Sequence, residues 1–340
     1  MITTDKLIDL ITMTLKDLGK LRWTNLATNL QEYIALSRLL NKHKVKFDSG
    51  TGIQWNVMVG FTQSAKTTGL YAVDSVNVGD AMKTASIPWR HITTNFPVDR
   101  REVTMNSGAS KIVDLIETRR AQMMIDLADF MEKIFWGKPE DSSDELTPFG
   151  VKYWITPNAS QGFNGGNPAG FSAGPGNLDC TLYPNWKNYT DTYSEISSTD
   201  LFQKLRRAAT FTNFKSPARH ADYEAYTKYE YFTNWNVLGE IERMLETRND
   251  NLGSDIVKYN DQALFRRTPI TWVPYLESDT SNPFYGINWG VFQPVFLRGE
   301  YMREETKAAP NQHTVAVTHL DTTLNFKCTN RRRLFVLYEN

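Results

Sequence analysis

Five histidines and two cysteines are the side chains best suited to metal or nucleophilic chemistry, and their spacing decides what they can do. His43, His91 and His220 stand alone. His313 and His319 are the closest pair; on a strand they share a face but sit roughly 20 Å apart, too far to hold one metal. Cys328 follows His319 closely enough for a thiol–imidazole pair, but nothing supplies the third group that orients the base. Cys180 and Cys328 make neither a disulfide framework nor a CxxC pair. Asp126, Asp129 and Glu132, with Arg119, Arg120 and Lys133, read as the solvated strip of a helix rather than a catalytic carboxylate pair. Arg331, Arg332 and Arg333 read as a solvated or interface-pairing strand end, since three charges add only a modest, salt-screened attraction to nucleic acid. The Gly-rich run QGFNGGNPAGFSAGPGN, residues 161–177, lacks a phosphate-binding pattern and reads as a surface loop. HExxH, GxSxG, EF-hand and Walker patterns are absent. No catalytic residue, cofactor or metal ligand is expected.

The elements that would carry these residues begin with one or two amphipathic helices over 1–44, where Leu7, Ile8, Leu10, Ile11, Leu15 and Leu18 recur at helical spacing. From Gly52 the period changes to two: Ile53, Trp55, Val57, Val59 and Phe61 alternate as in a strand. A small polar tip follows at 62–69, then Tyr71, Val73, Val76 and Val78, and an extended stretch over 84–103. Pro88 and Pro97 in that stretch suit an edge strand. Residues 50–106 therefore read as a long hairpin-like excursion, which cannot bury two faces alone and must lie on something else.

The run RRAQMMIDLADFMEKIFWG belongs to a helix starting near Ser107 or Ser110 and stopped by Gly137 and Pro139. About 26 residues give roughly 39 Å, and the second half is apolar nearly all round, so it must be covered on most sides. Phe149, Val151, Tyr153 and Ile155 read as a strand. Thr199 reads as the N-cap of a helix over 200–214. A strand over 229–233, a helix over 236–248, extended segments at 264–274, 291–298 and 315–327, a turn at PFYGIN and a strand-like end complete the order. Without βαβ repetition the class is α+β.

Composition bounds the partners. The chain has 340 residues with 38 basic and 38 acidic side chains, so its formal net charge is zero, which argues against a free-standing nucleic-acid binder. Aromatics at 12%, including nine Trp, imply much buried contact within or between chains. Two thiols fit a reducing compartment, where the sequons at Asn158 and Asn188 are chance matches. The N-terminus does not read as a signal peptide, and no apolar run is long enough to span a membrane. A soluble intracellular protein is expected.

Several passages resemble the tailed-bacteriophage major capsid proteins of Hong Kong 97-like fold. They are WRHITTNFPVDRREVTMNSGASKIVDLIETRRAQMMIDLADFMEKIFWG, LTPFGVKYWI, LFRRTPITWVPYLE and NPFYGINWGVFQPVFLRGEYM. The resemblance covers most of the chain and rests on element order: an arm, an extended two-stranded loop, a long spine helix and a mixed remainder. It implies an N-terminal arm over 1–48, an extended E-loop over 49–106 and a first part of the P-domain with the spine helix over 107–155. A Gly/Pro/Asn-rich insertion over 156–193, an A-domain over 194–262, and P-domain return strands with a C-terminal strand over 263–340 would follow. The implied subunit contacts are Trp23 and Leu26 on the arm, and Trp55, Phe61, Lys66, Tyr71 and Trp89 on the loop. Lys66 at the loop tip reads as a solubilising residue more than as a crosslinking one.

What the resemblance implies in function is a major head subunit, not an enzyme. Copies would form pentamers and hexamers in an icosahedral shell, assembled in the host bacterial cytoplasm and located in the virion. The shell would enclose double-stranded DNA with little sequence-specific contact and no membrane. Many relatives carry an N-terminal scaffolding segment that is later removed; a start almost directly at the arm implies either a separate scaffolding protein or a processed chain, of which Met1 favours the former, and a portal and decoration proteins are further expected partners. One alternative keeps the fold as an encapsulin-like nanocompartment shell, told apart by a co-purifying enzyme instead of DNA. Another is a carbohydrate-active enzyme or lectin, which would need a cleft with two carboxylates at glycosidase separation.

Overall fold

The computed structural model describes residue 8 and residues 46–60, 65–70, 81–105, 109–214, 229–246, 256–259 and 262–340. Of the N-terminal helices only Ile8 is described, half-buried against the core. The described residues form mixed sheets with a few helices, an α+β fold.

A two-stranded sheet comes first: β2 (Ile53–Met58) pairs antiparallel with β3 (Met82–Ile87). The alternation read from sequence holds, with Ile53, Trp55 and Val57 buried and Gln54, Asn56 and Met58 exposed. The buried face lies on this chain's own Trp154 and segment 174–186. Trp55 packs against Trp154 at 6.1 Å, and Asn185 Nδ2 donates to Val59 O at 3.2 Å. The excursion is shorter than 50–106. β4 (Arg90–Asp99) leaves it and pairs along ten residues of β14 (Val315–Cys328). There β4 joins β1 (Lys46–Asp48), β12 (Phe292–Leu297) and β13 (Arg303–Ala308) in a five-stranded sheet. Among the described residues β4 pairs with β14 alone, so Pro97 sits on an edge strand as its missing N–H requires. A short helix, α1 (Arg100–Met105), replaces the end of the expected extended stretch.

The long helix α2 spans Ala109–Trp136, 28 residues, so Ser110 lies inside it rather than capping it, and Ser107 falls outside the described residues. Met123, Met124, Leu127, Ala128, Met131 and Ile134 are buried, but Ile125 and Phe130 are 40% and 49% exposed, so the apolar second half is not covered all round. Two of its charges are buried as well, which corrects the reading of a wholly solvated strip. Arg120 is paired with Glu304 of β13 at 2.6 Å, and Glu132 accepts a hydrogen bond from Trp136 Nε1 at 2.9 Å. The helix ends in two adjacent rings that enter different sheets. Phe135 meets Phe292 of β12 at 5.7 Å and Phe326 of β14 at 5.4 Å. Trp136 meets Phe232 at 5.3 Å and Tyr285 at 6.1 Å.

Those last two residues belong to an eight-stranded sheet, ordered β5-β6-β15-β11-β7-β10-β9-β8. Its strands are β5 (Gly162–Gly165), β6 (Asn188–Tyr193), β7 (Tyr229–Thr233), β8 (Ile256–Tyr259), β9 (Gln262–Phe265), β10 (Thr268–Trp272), β11 (Phe284–Asn288) and β15 (Phe335–Glu339). Helices α4 (Leu201–Thr212) and α5 (Trp235–Glu246) share one apolar cluster with it, joining Leu205 and Ile241 to Phe265, Phe284 and Phe335.

Several local readings are overturned, each for a physical reason. Residues 149–155 hold a helical turn, α3 (Val151–Trp154), not a strand: Val151, Tyr153, Trp154 and Ile155 are all buried, so no period separates helix from strand. PFYGIN contains β11, not a turn. All five of its residues are buried, and Gly286 is there because a Cβ would lie 2.1 Å from the Phe335 ring. The run 161–177 is not a simple surface loop; it supplies β5 and buries Phe171, Pro175 and Gly176. Asp200, not Thr199, flanks α4 at its N-terminus; its carboxylate binds the backbone N–H groups of Ser194 and Glu195 and pairs with Lys204 at 2.5 Å.

Candidate functional site

The residues expected to meet neighbouring subunits do not form one patch among the described residues. Trp55 is only 8% exposed and is held by Trp154 on one side and Lys327, 5.1 Å from its ring centroid, on the other. Trp89 is half-buried and donates from Nε1 to Gly50 O at 2.9 Å. Lys66 is exposed. Phe61, Tyr71, Trp23 and Leu26 lie outside the described residues.

Other apolar side chains face outward instead. Met58 and Met82, direct partners across the two-stranded sheet, are 60% and 54% exposed. Trp235, which opens α5, and Trp272, which closes β10, lie 6.4 Å apart with their rings nearly perpendicular, and both are exposed. Glu277 fixes them: its Oε1 accepts from Trp272 Nε1 and from the Trp235 backbone N–H, the latter at 2.6 Å. No sequence signal marks this pair, because exposure of a tryptophan is decided by tertiary packing.

Toward the other end of the same sheet, rings and guanidinium groups alternate. Arg207 lies over Phe211, Phe211 stacks on Tyr189, and Tyr189 meets Phe163 edge-on. Arg332 then lies 4.3 Å from the Phe163 centroid and 5.8 Å from that of Phe214.

The arginine triplet is thus not a solvated strand end. Arg331 is fully buried and donates to Trp154 O, Trp186 O, Gly166 O, Thr156 Oγ1 and Asn188 Oδ1, with Cys180 Sγ at 3.0 Å. None of these groups is a carboxylate, and burial pulls the guanidinium pKa below its usual value. Arg333 is also buried and donates to Phe214 O at 2.9 Å.

Neither cysteine is disposed toward nucleophilic chemistry. Both are buried and free, and burial pushes the Cys328 thiol up to about 12. His319 stands on β14 opposite Glu305 and Asn95. Among the described residues, no group of three or more His, Cys, Asp or Glu is placed to hold a metal ion, and no helix is long and apolar enough to cross a membrane.

The acidic turn after α2 carries a pH dependence. Asp144 accepts hydrogen bonds from Thr147 N at 3.0 Å and Leu146 N at 2.9 Å, which hold its carboxyl down at about 2. The same turn offers the Asp144 and Glu145 carbonyls to Arg90, buried on β4. A carboxylate whose folded pKa is depressed stabilises the fold above its unfolded value, near 4, and loses that contribution as pH falls toward about 2. Hydrogen exchange should therefore find the Leu146 and Thr147 amides equally protected at pH 7 and 5, with protection falling between pH 4 and 2. Protection that persists at pH 2, or is already lost at 5, would contradict the assignment.

No family model matches the chain, and no curated protein matches it in sequence. Solved structures do match. The capsid asymmetric unit of cyanophage A-1(L) superposes with a TM-score of 0.61 at 15% identity, over 90% of this chain and 92% of that one. The capsid of a native GTA particle gives 0.59 at 10% identity, over 91% of each chain. A structure from Microbacterium phage Oxtober96 gives 0.51 at 9% identity, over 87% of this chain and 89% of that one. The class of fold is therefore that of phage capsid proteins. More particularly, it is the tailed-phage major capsid fold of Hong Kong 97-like type.

Proposed function

We propose that the chain is a major capsid subunit. Copies assemble into an icosahedral shell that encloses the double-stranded DNA of a tailed bacteriophage. The observation that carries this reading is the match to the cyanophage A-1(L) capsid along nine-tenths of both chains. In this reading α2 and the five-stranded sheet form the P-domain. The eight-stranded sheet with α4 and α5 forms the A-domain, drawing β5 and β6 from before residue 194 and β9, β10, β11 and β15 from residue 262 onward. The two-stranded sheet is the base of the E-loop, and residues 1–48 are the arm, whose last three residues, β1, add a strand to the five-stranded sheet. Zero net charge limits repulsion between copies, and shell closure makes individually weak contacts mutually supporting.

Negative-stain electron microscopy with size-exclusion chromatography tests this on the expressed chain, alone and with a scaffolding protein. Closed shells, rings of five or six, or tubes are the expected result. A 39.0 kDa monomer under both conditions would end the capsid reading. DNA recovered from particles, rather than a protein cargo, separates a virion shell from a nanocompartment.

A further inference from the structure

We infer that neighbouring copies meet head to tail, the Arg207 end of one eight-stranded sheet seating on the Trp235–Trp272–Glu277 platform of the next. The inference rests on the capsid reading, which supplies identical neighbours.

The platform is built to receive a cation. Its two exposed indoles stand beside a carboxylate, and tryptophan is the best aromatic partner for a cation such as arginine. Glu277 holds the Trp272 indole through Nε1 and the start of α5 through the Trp235 backbone N–H, so the Trp272 ring has less freedom to lose on contact. Tryptophan and arginine are also the side chains that carry most binding energy at protein interfaces.

The complementary end lies on the same layer. Arg207 is exposed on α4, which packs with α5 in one apolar cluster on the sheet. Its guanidinium lies 5.5 Å from the Phe211 centroid, and Arg332 follows along the same row of rings. Four strand steps separate β6, beneath α4, from β10, which ends in Trp272. At about 4.8 Å per step that is roughly 19 Å. A cationic end and an aromatic–acidic end on different parts of one surface are complementary between copies, and each can seat on the next copy in turn rather than closing as a reciprocal pair. They make a heterologous contact, the kind that generates rings when the rotation closes.

Disulfide trapping tests this directly, because the chain's two natural cysteines are both buried. Gln203 is exposed one helical turn from Arg207, and Ser278 is exposed next to Glu277. The full chain carrying Gln203→Cys and Ser278→Cys, oxidised under assembling conditions, should give a ladder of covalent oligomers. A mixture of the two single variants should give dimers only, and neither single variant should crosslink alone. Adding Trp235→Ala and Trp272→Ala should lower the crosslinked yield about tenfold, as expected for losing roughly 1.4 kcal/mol of contact.

Particles without a ladder would overturn the inference and leave the capsid reading intact. Crosslinked dimers from the double variant with no higher species would show a reciprocal two-fold contact and also overturn it. Neither particles nor crosslinks, even with a scaffolding protein, would remove both readings.

Discussion

Replacing Arg331 with Met is expected to cost on the order of 3–5 kcal/mol of folding stability, the range for breaking a buried, hydrogen-bonded charge. The guanidinium reaches three backbone carbonyls from separate parts of the chain: Trp154 at 2.7 Å, Trp186 at 3.1 Å and Gly166 at 3.2 Å. Methionine fills much of the volume but leaves those acceptors buried and unsatisfied. Lysine is expected to fare little better. Its ammonium has three donors on one centre, whereas the planar guanidinium has five in a fork that matches this cage. Urea denaturation followed by tryptophan fluorescence reads the loss beside the site, since Trp154 and Trp186 are themselves partners. If Arg331→Met lowered stability by less than about 1 kcal/mol, the cage would be a consequence of the fold rather than a cause of it.

The second large effect is expected at Gly150, where the chain turns from α2 into α3. A Cβ there would lie 2.3 Å from Ile134 O and 2.5 Å from both Phe135 O and Gly137 O. All three are backbone atoms at the end of a long buried helix, so no rotamer change relieves the contact. Gly150→Ala should cost about 3 kcal/mol or more, the upper end for overpacking. Gly166→Ala is the matched control, because nothing lies within 4 Å of its added methyl. Thermal melts followed by circular dichroism should show a large drop for the first variant and almost none for the second. Equal melting temperatures would mean that the loop after α2 can retreat from the helix end.

Much of the architecture is legible in the sequence because its signals are local. The alternation from Ile53 to Val57 marks a half-buried strand. The apolar run ending at Gly137 and Pro139 marks the long helix. Residues 229–233, 292–297 and 315–328 are strands because β-rich apolar runs favour them. Where burial is complete, the signal vanishes. β11 has no exposed side to alternate with, and Gly286 reads as a turn residue until the Phe335 ring is seen against it. Arg331 is misread for the complementary reason: a charged triplet implies water unless distant carbonyls are known to converge on it. Trp55, expected at a subunit boundary, is packed inside its own chain, while the exposed Trp235 and Trp272 look no different in sequence from buried ones.

The two rings that end α2 have a mechanical consequence. Phe135 is locked among Phe292 and Phe326, and Trp136, one residue on, is locked against Phe232 and Tyr285. Their Cα atoms are about 3.8 Å apart, so the sheets share a pivot with almost no slack. The helix above it is a crank of 28 residues, roughly 42 Å long. A push of about 5 Å at its far end turns the pivot by about 7°. Because packed interiors deform little, that rotation passes to both sheets together instead of dissipating in either. A load applied at the Ala109 end is thereby geared down into a small, stiff rotation that both sheets share.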